Sequence, residues 1–236
     1  MRVLDGMLRV VLRSASRRCW VGRNRSPGRP EEGRFTRREA KRLVNEALRN
    51  LESCATEASA EPSLGARMNV RLAGVTLAAH RALTAAGIEK TYATELVSDA
   101  AWWVYEKWGW LAAGLAWAAR RDSLGRLRFA TVLFRSFPFN PPGYLMEDIP
   151  AAHEVAFDVR RCPVAEYFGR HGASEVCVGT WCNLDYALAE QWGGRLERAG
   201  TLAAGADRCD FRWKVPNADG GSRSRSVGRP THNPPR

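Results

Sequence analysis

Four of the six cysteines in this 236-residue chain, Cys162, Cys177, Cys182 and Cys209, fall in its last third. Carboxylates stand close to two of them. Asp185 follows Cys182 by three residues, while Asp207 and Asp210 flank Cys209. A cysteine attacks unsaturated carbon well once its pKa is lowered, because the thiolate is the nucleophile. An ionised Asp185 would raise the pKa of a neighbouring thiol. Its use is therefore to take a proton directly or to hold a water. Two other readings of the thiols stand beside this one. Free cysteine is among the most buried residue types, so the four can be small core hydrophobes. Four thiolates can also hold zinc, but these spacings lack the paired C-x2-C knuckles that mark such sites.

The elements around the thiols can be read from periodicity. In "HEVAFDVRRCP" Val155, Phe157 and Val159 alternate with Ala156, Asp158 and Arg160, which predicts a strand with one buried face, ended by Pro163. "VAEYFGRHG" predicts a short helix and "ASEVCVGTWCNLDYALAEQWGG" a longer one. At 100° per residue Cys177 and Cys182 sit about 140° apart on that helix, with Asp185 between them. Trp181 and Asp185 form an i, i+4 pair, and Cys182, Asp185 and Tyr186 can face one cleft. "RLERAGTLA" and "RCDFRWKV" predict a closing hairpin, with Cys209, Phe211 and Trp213 on its inner face.

The first half reads as helices. "FTRREAKRLVNEALRNLESC" carries a capping box, Thr36 with Glu39, followed by Leu43, Ala47, Leu48 and Leu51 at helical spacing. A second helix ends at Gly87. A third, from "EKTYATELVSD" through "WGWLAAGLAWAARR", holds Trp102, Trp103, Trp108, Trp110 and Trp117. Such a stripe is first of all core packing, with a ligand wall or partner surface as the alternative. His80 reads as a structural residue. Helices, then a strand, two helices and a hairpin predict an α+β domain: N-terminal helices packed on a small antiparallel sheet.

Charge sets the limits of that domain. The formal net charge is +11, but residues 1–42 carry +9, residues 216–236 carry +3, and the remainder carries −1. Arg-, Ser-, Gly- and Pro-rich ends bury little apolar surface against the entropy of ordering them. Residues 1–34 and 216–236 are thus expected to be disordered basic extensions around one domain at 35–215. Cys19 falls in the first of these. An Arg-rich nucleic-acid arm is the lesser reading, since neither end carries aromatic platforms or a known module. The longest apolar run, "WGWLAAGLAWAA", is too short to cross a bilayer, which takes about 20 residues. Six cysteines with no export signal suit a reducing cytoplasm.

The stretches "FDVRRCPVAEYFGRHG", "WCNLDYALAEQWG" and "RAGTLAAGADRCDFRW" resemble the L-2-amino-thiazoline-4-carboxylic acid hydrolase family over about residues 90–215. The closing "GADRCDF" also resembles vinyl-4-reductase-type domains, whose zinc cysteine has no counterpart here in "RLERAGT". No cofactor is therefore expected, with zinc the alternative. The resemblance implies a small-molecule substrate and hydrolysis of a cyclic amidine to an N-carbamoyl-cysteine-like product. On this reading Cys182 is the nucleophile and Asp185 the proton shuttle. Cys162, Asp207 and Cys209 shape the pocket or polarise the amidine. Trp181, Tyr186, Arg161, Arg198 and His153 are the candidate substrate contacts, the arginines for a carboxylate. His153 or His171 is the alternative base. The rival class is a non-catalytic small-molecule-binding or sensor domain in which the thiols only pack; a helical half that binds a partner is a third. Oligomeric state stays open.

Overall fold

The computed structural model describes residues 2–49, 51–120 and 122–215. The chain runs α1 (Arg2–Cys19), α2 (Arg37–Arg49), α3 (Leu51–Ser59), α4 (Leu64–Ala85), α5 (Lys90–Ala119) and α6 (Ser123–Ser136), then β1 (Leu145–Ile149) and β2 (Glu154–Arg161). There follow α7 (Pro163–Arg170), α8 (Ser174–Cys177), a π turn at Val178–Cys182, α9 (Asn183–Gln191), β3 (Arg195–Glu197) and β4 (Cys209–Lys214). The fold is α+β, with one antiparallel sheet of order β1-β2-β4-β3.

Local chemistry sets the helix starts. The Thr36 N–H donates to Glu39 Oε2 at 2.9 Å and the Glu39 N–H to Thr36 Oγ1 at 3.2 Å, closing the predicted capping box at α2. Ser63, Glu89 and Asp122 cap α4, α5 and α6 by accepting backbone N–H groups of the first turn. Gly87, at φ +84°, follows the end of α4. His80 is buried there, its Nε2 3.3 Å from the Lys90 carbonyl.

Residues 2–34, expected to be a disordered extension, instead form a helix and a turn packed on the helical half. Helix α1 packs against α5 and α2, and Trp20 is fully buried with its Nε1 donating to the Leu96 carbonyl at 2.8 Å. Ala15, Trp20 and Phe35 belong to the same apolar cluster as α2, α4 and α5. Arg23 and Arg25 pair with Asp99 and Glu39, so part of the positive charge that suggested disorder is neutralised by the fold. Cys19 is half-buried and donates to the Asp99 carbonyl at 3.6 Å; burial, with Asp99 beside it, pushes its thiol up to about 12. The expectation for residues 216–236 lies outside the described residues.

Two further expectations change. Ala156 and Asp158, on the supposed solvent face of β2, are buried as well as Phe157 and Val159. Asp158 is covered by Arg208 and Arg212, each at 3.0 Å. The five tryptophans of α5 divide. Trp102 and Trp103 pack against core clusters, whereas Trp108, Trp110 and Trp117 are 49%, 65% and 71% exposed. No helix among the described residues is long and apolar enough to cross a membrane.

Candidate active site

The sheet's inner face supplies one wall of the site. Strand β4 turns Cys209, Phe211 and Trp213 inward, and β2 pairs with it in the register Val159↔Cys209 and Phe157↔Phe211. Phe157, Phe211, Trp213 and Trp192 stack in succession at centroid separations of 5.0, 6.0 and 5.3 Å. Facing them are α5, α6 and the α8–π turn–α9 segment. Between lies a cavity of about 100 Å³. A water needs roughly 10–15 Å³, so this space suits a small molecule and not a polymer.

Cys162, Cys177, Cys182, Cys209 and Asp185 all line that cavity. Cys162 sits where β2 ends and α7 begins, with Pro163 at the first helical position. Its sulfur accepts the Ala165 and Val164 N–H groups, yet burial dominates and pushes the thiol well up. Burial likewise pushes Cys209 up to about 11, although the Leu202 N–H donates to its sulfur at 3.2 Å.

The π turn decides the geometry of the other pair. One extra residue per turn brings i and i+5 onto one face, so Cys177 and Cys182 meet in a side-chain hydrogen bond. The 100° wheel kept them apart. Gly179 permits the turn to lie against α5, since a Cβ there would stand 2.6 Å from Thr94 Cγ2. Cys177 is buried and Cys182 partly exposed. Their shared proton stays on Cys177, whose thiol is pushed up by that bond and by burial. Cys182 is lowered, first by the bond from Cys177, then by Arg198 and a hydrogen bond with Thr201, against burial and Asp185.

Arg198, read from the sequence as a candidate carboxylate contact, lines the cavity; what the sequence did not show is that it is 3% exposed at its side chain and bonded to Asp185 Oδ2 at 2.9 Å and to the Cys182 carbonyl at 2.8 Å. Its guanidinium lies 5.2 Å from the Tyr186 ring and 5.1 Å from that of Phe211. Asp210 positions it: the Asp210 carboxylate accepts the Ala199 and Gly200 N–H groups at 2.8 to 3.1 Å, fixing the chain just after Arg198. Burial nevertheless raises the Asp185 carboxyl to about 6, with Arg198 pulling the other way. That value suits a group that must give and take a proton near neutral pH.

Other candidates lie elsewhere. Asp207 is outside the cavity, 73% exposed at its side chain and paired with Arg208 and Arg160. Arg161 is also outside, tied to Glu61, Glu166 and the Gly143 carbonyl. His153 is exposed and does not line the cavity. His171 pairs with Glu57 at 2.8 Å. Tyr186 is 38% exposed and reaches the site only through Arg198, while Trp181 lines the cavity. Among the described residues no group of three His, Cys, Asp or Glu side chains is arranged to hold a metal ion.

Residues 111–213 match the family model for L-2-amino-thiazoline-4-carboxylic acid hydrolase. Over this span, a little under half of the chain, the sequence is similar to that family. No curated protein and no solved structure matches the chain. The matched span holds β1, β2, β3, all of β4 but its last residue, and every cavity cysteine, and it leaves α1 to α4 outside.

Proposed function

We propose that the chain is a cysteine-dependent hydrolase that opens a thiazoline-like cyclic amidine at its carbon–sulfur bond. The observation that carries this is the lowered thiol of Cys182, in contact with Cys177, in the same small cavity as a carboxyl that titrates at about 6.

The Cys182 thiolate adds to the amidine carbon, and the electron pair of the carbon–nitrogen double bond moves to nitrogen. That pair returns as the ring carbon–sulfur bond breaks, and the departing sulfur takes the proton of Asp185. A covalent isothiourea on Cys182 remains. Water then gives a proton to Asp185 and its oxygen bonds to the same carbon. As that adduct collapses, the hydroxyl proton passes to nitrogen and Cys182 leaves as thiolate. The balance is one water consumed, one urea group and one free thiol formed, and both side chains restored. Arg198 holds Asp185 in place and supports the Cys182 thiolate. Cys162 and Cys209 shape the wall.

Mass spectrometry of products from a 2-aminothiazoline tests this. The purified protein should yield the ring-opened thiol, with or without chelator, and Cys182→Ser should yield none. Iodoacetamide should label Cys182 of the native protein first and be blocked by substrate. Full turnover by Cys182→Ser would remove this cysteine from the mechanism. A binding or sensor module is the second reading, favoured by the apolar lining. It expects thermal stabilisation of wild type and Cys182→Ser alike, without product.

A further inference from the structure

The cavity does not match the polarity of an amino-acid-like substrate. Nine of its twenty-one lining side chains are aromatic, and four of these form the stacked wall of Phe157, Phe211, Trp213 and Trp192. Such a wall receives a flat ring by offset stacking. A carboxylate, by contrast, must be paired when it leaves water. Two cations line the cavity and both are engaged: Arg198 by Asp185 and the Cys182 carbonyl, and Arg135 by Asp148 Oδ1 at 2.5 Å. Arg135 also stacks its guanidinium 4.6 Å from the Phe157 ring. With Cys182 as thiolate and Asp185 ionised, the two lining arginines are balanced within the cavity, and Arg135 is further paired with the exposed Asp148, so no unpaired cation is left to receive a carboxylate.

Two buried donors remain unused. Arg198 Nε and Trp213 Nε1 have no hydrogen-bond partner, and both residues are cavity-lining and 3% exposed at the side chain or residue level. Each offers one N–H to a neutral acceptor on a ligand. There is also room for apolar bulk. A second cavity of about 70 Å³ under α1 shares Trp181 and Tyr105 with the first, and its lining includes no charged side chain.

We propose that the substrate of this site is a cyclic amidine bearing a flat apolar ring, such as an aryl group, in the place where an amino-acid-derived thiazoline bears its carboxylate. The proposal rests on the hydrolase reading for its reaction but on the cavity lining for its ligand class. The amidine carbon meets Cys182, the aryl ring lies against the Phe211–Trp213 wall, and the two free N–H donors face its heteroatoms.

Three compounds separate the contributions: 2-aminothiazoline-4-carboxylate, its methyl ester, and 2-amino-4-phenyl-thiazoline. Turnover is followed by product mass spectrometry and binding by thermal stabilisation of the full chain, in wild type, Cys182→Ser and Arg135→Gln. The phenyl compound should show kcat/KM at least about tenfold above the acid, the scale on which apolar pockets discriminate, with the ester between them. Arg135→Gln should leave that order unchanged. Preference for the acid, lost in Arg135→Gln, would overturn the ligand class while leaving the hydrolase reading intact. Stabilisation by the phenyl compound with no product from any of the three would uphold the class and refute the hydrolase. Failure of the phenyl compound to bind either wild type or Cys182→Ser would overturn the proposal.

Discussion

Replacing Arg198 by Met tests the electrostatics of the site most directly. Met keeps much of the buried stem between Tyr186 and Phe211 and removes the charge that Asp185 and the Cys182 carbonyl share. A buried carboxylate left ionised without its partner costs about 3–5 kcal/mol. Asp185 has an escape, because its carboxyl already titrates at about 6 and can take up a proton instead. Protonation costs about 1.4 kcal/mol per pH unit above that value. The sign follows from the direction of the shift. The folded pKa is raised above the ordinary Asp value of 3.8, so the ionised form is a burden on the fold above about 6, relieved as pH falls toward 3.8. Loss of Arg198 enlarges that burden only where the wild-type group is ionised. Arg198→Met should therefore destabilise by up to about 3 kcal/mol more at pH 8 than at pH 5. The lost hydrogen bond to the Cys182 carbonyl adds roughly 0.5–1.5 kcal/mol at either pH. Urea unfolding followed by circular dichroism under reducing conditions measures both values. A destabilisation that is equal at the two pH values, or larger at pH 5, would refute the account. Adding Asp185→Leu to Arg198→Met should recover most of the loss at pH 8.

The ring-opening step needs the protonated Asp185, so kcat/KM should fall above about pH 6, and Asp185→Asn should lose that limb along with most activity; a limb that persists in this variant would assign it to another group. Trp20→Ala removes a fully buried indole and its bond to the Leu96 carbonyl, and should cost about 3–5 kcal/mol in chemical denaturation; a change within the error of the melt would mean that the N-terminal helix does not belong to the folded body. Asp207→Ala and His153→Ala remove side chains outside the cavity, and each should keep kcat/KM within about twofold, the range of surface changes.

The parts of the fold that were legible in the sequence are those where one period dominates. The alternation of Cys209, Phe211 and Trp213 on β4 and the Thr36–Glu39 box at α2 are carried by neighbours in the chain, and the structure has both. Helix α6 and strand β1 passed unread. Asp122 caps α6, but Gly125 and three arginines blur its apolar face, and β1 is a largely exposed edge strand without alternation. Local composition misled at the N-terminus, where arginines outnumber the few apolar residues, Trp20 and Phe35 among them, that are buried. The site was half legible. Residue type singled out Cys182 and Asp185, but the contact of Cys182 with Cys177 arises from a π turn that has no period of its own to betray it. Asp207 reads as a pocket residue from its place in the closing "GADRCDF" stretch, yet it lies outside the cavity, whereas Arg198 lines it. Position on the loop and the Asp210 hydrogen bonds turn Arg198 inward instead.

The pairing of β2 with β4 spans everything from α7 to β3. Closing so long a segment is an entropic cost met before any of its contacts reward it. Cys162 at one end of that segment and Cys209 at the other become neighbours only when the closing strand docks. The thiol chamber therefore depends on the docking of the last strand: releasing β4 takes Cys209 away from Cys162 and removes the chamber's inner wall, although the Cys177–Cys182 contact lies within one helical segment.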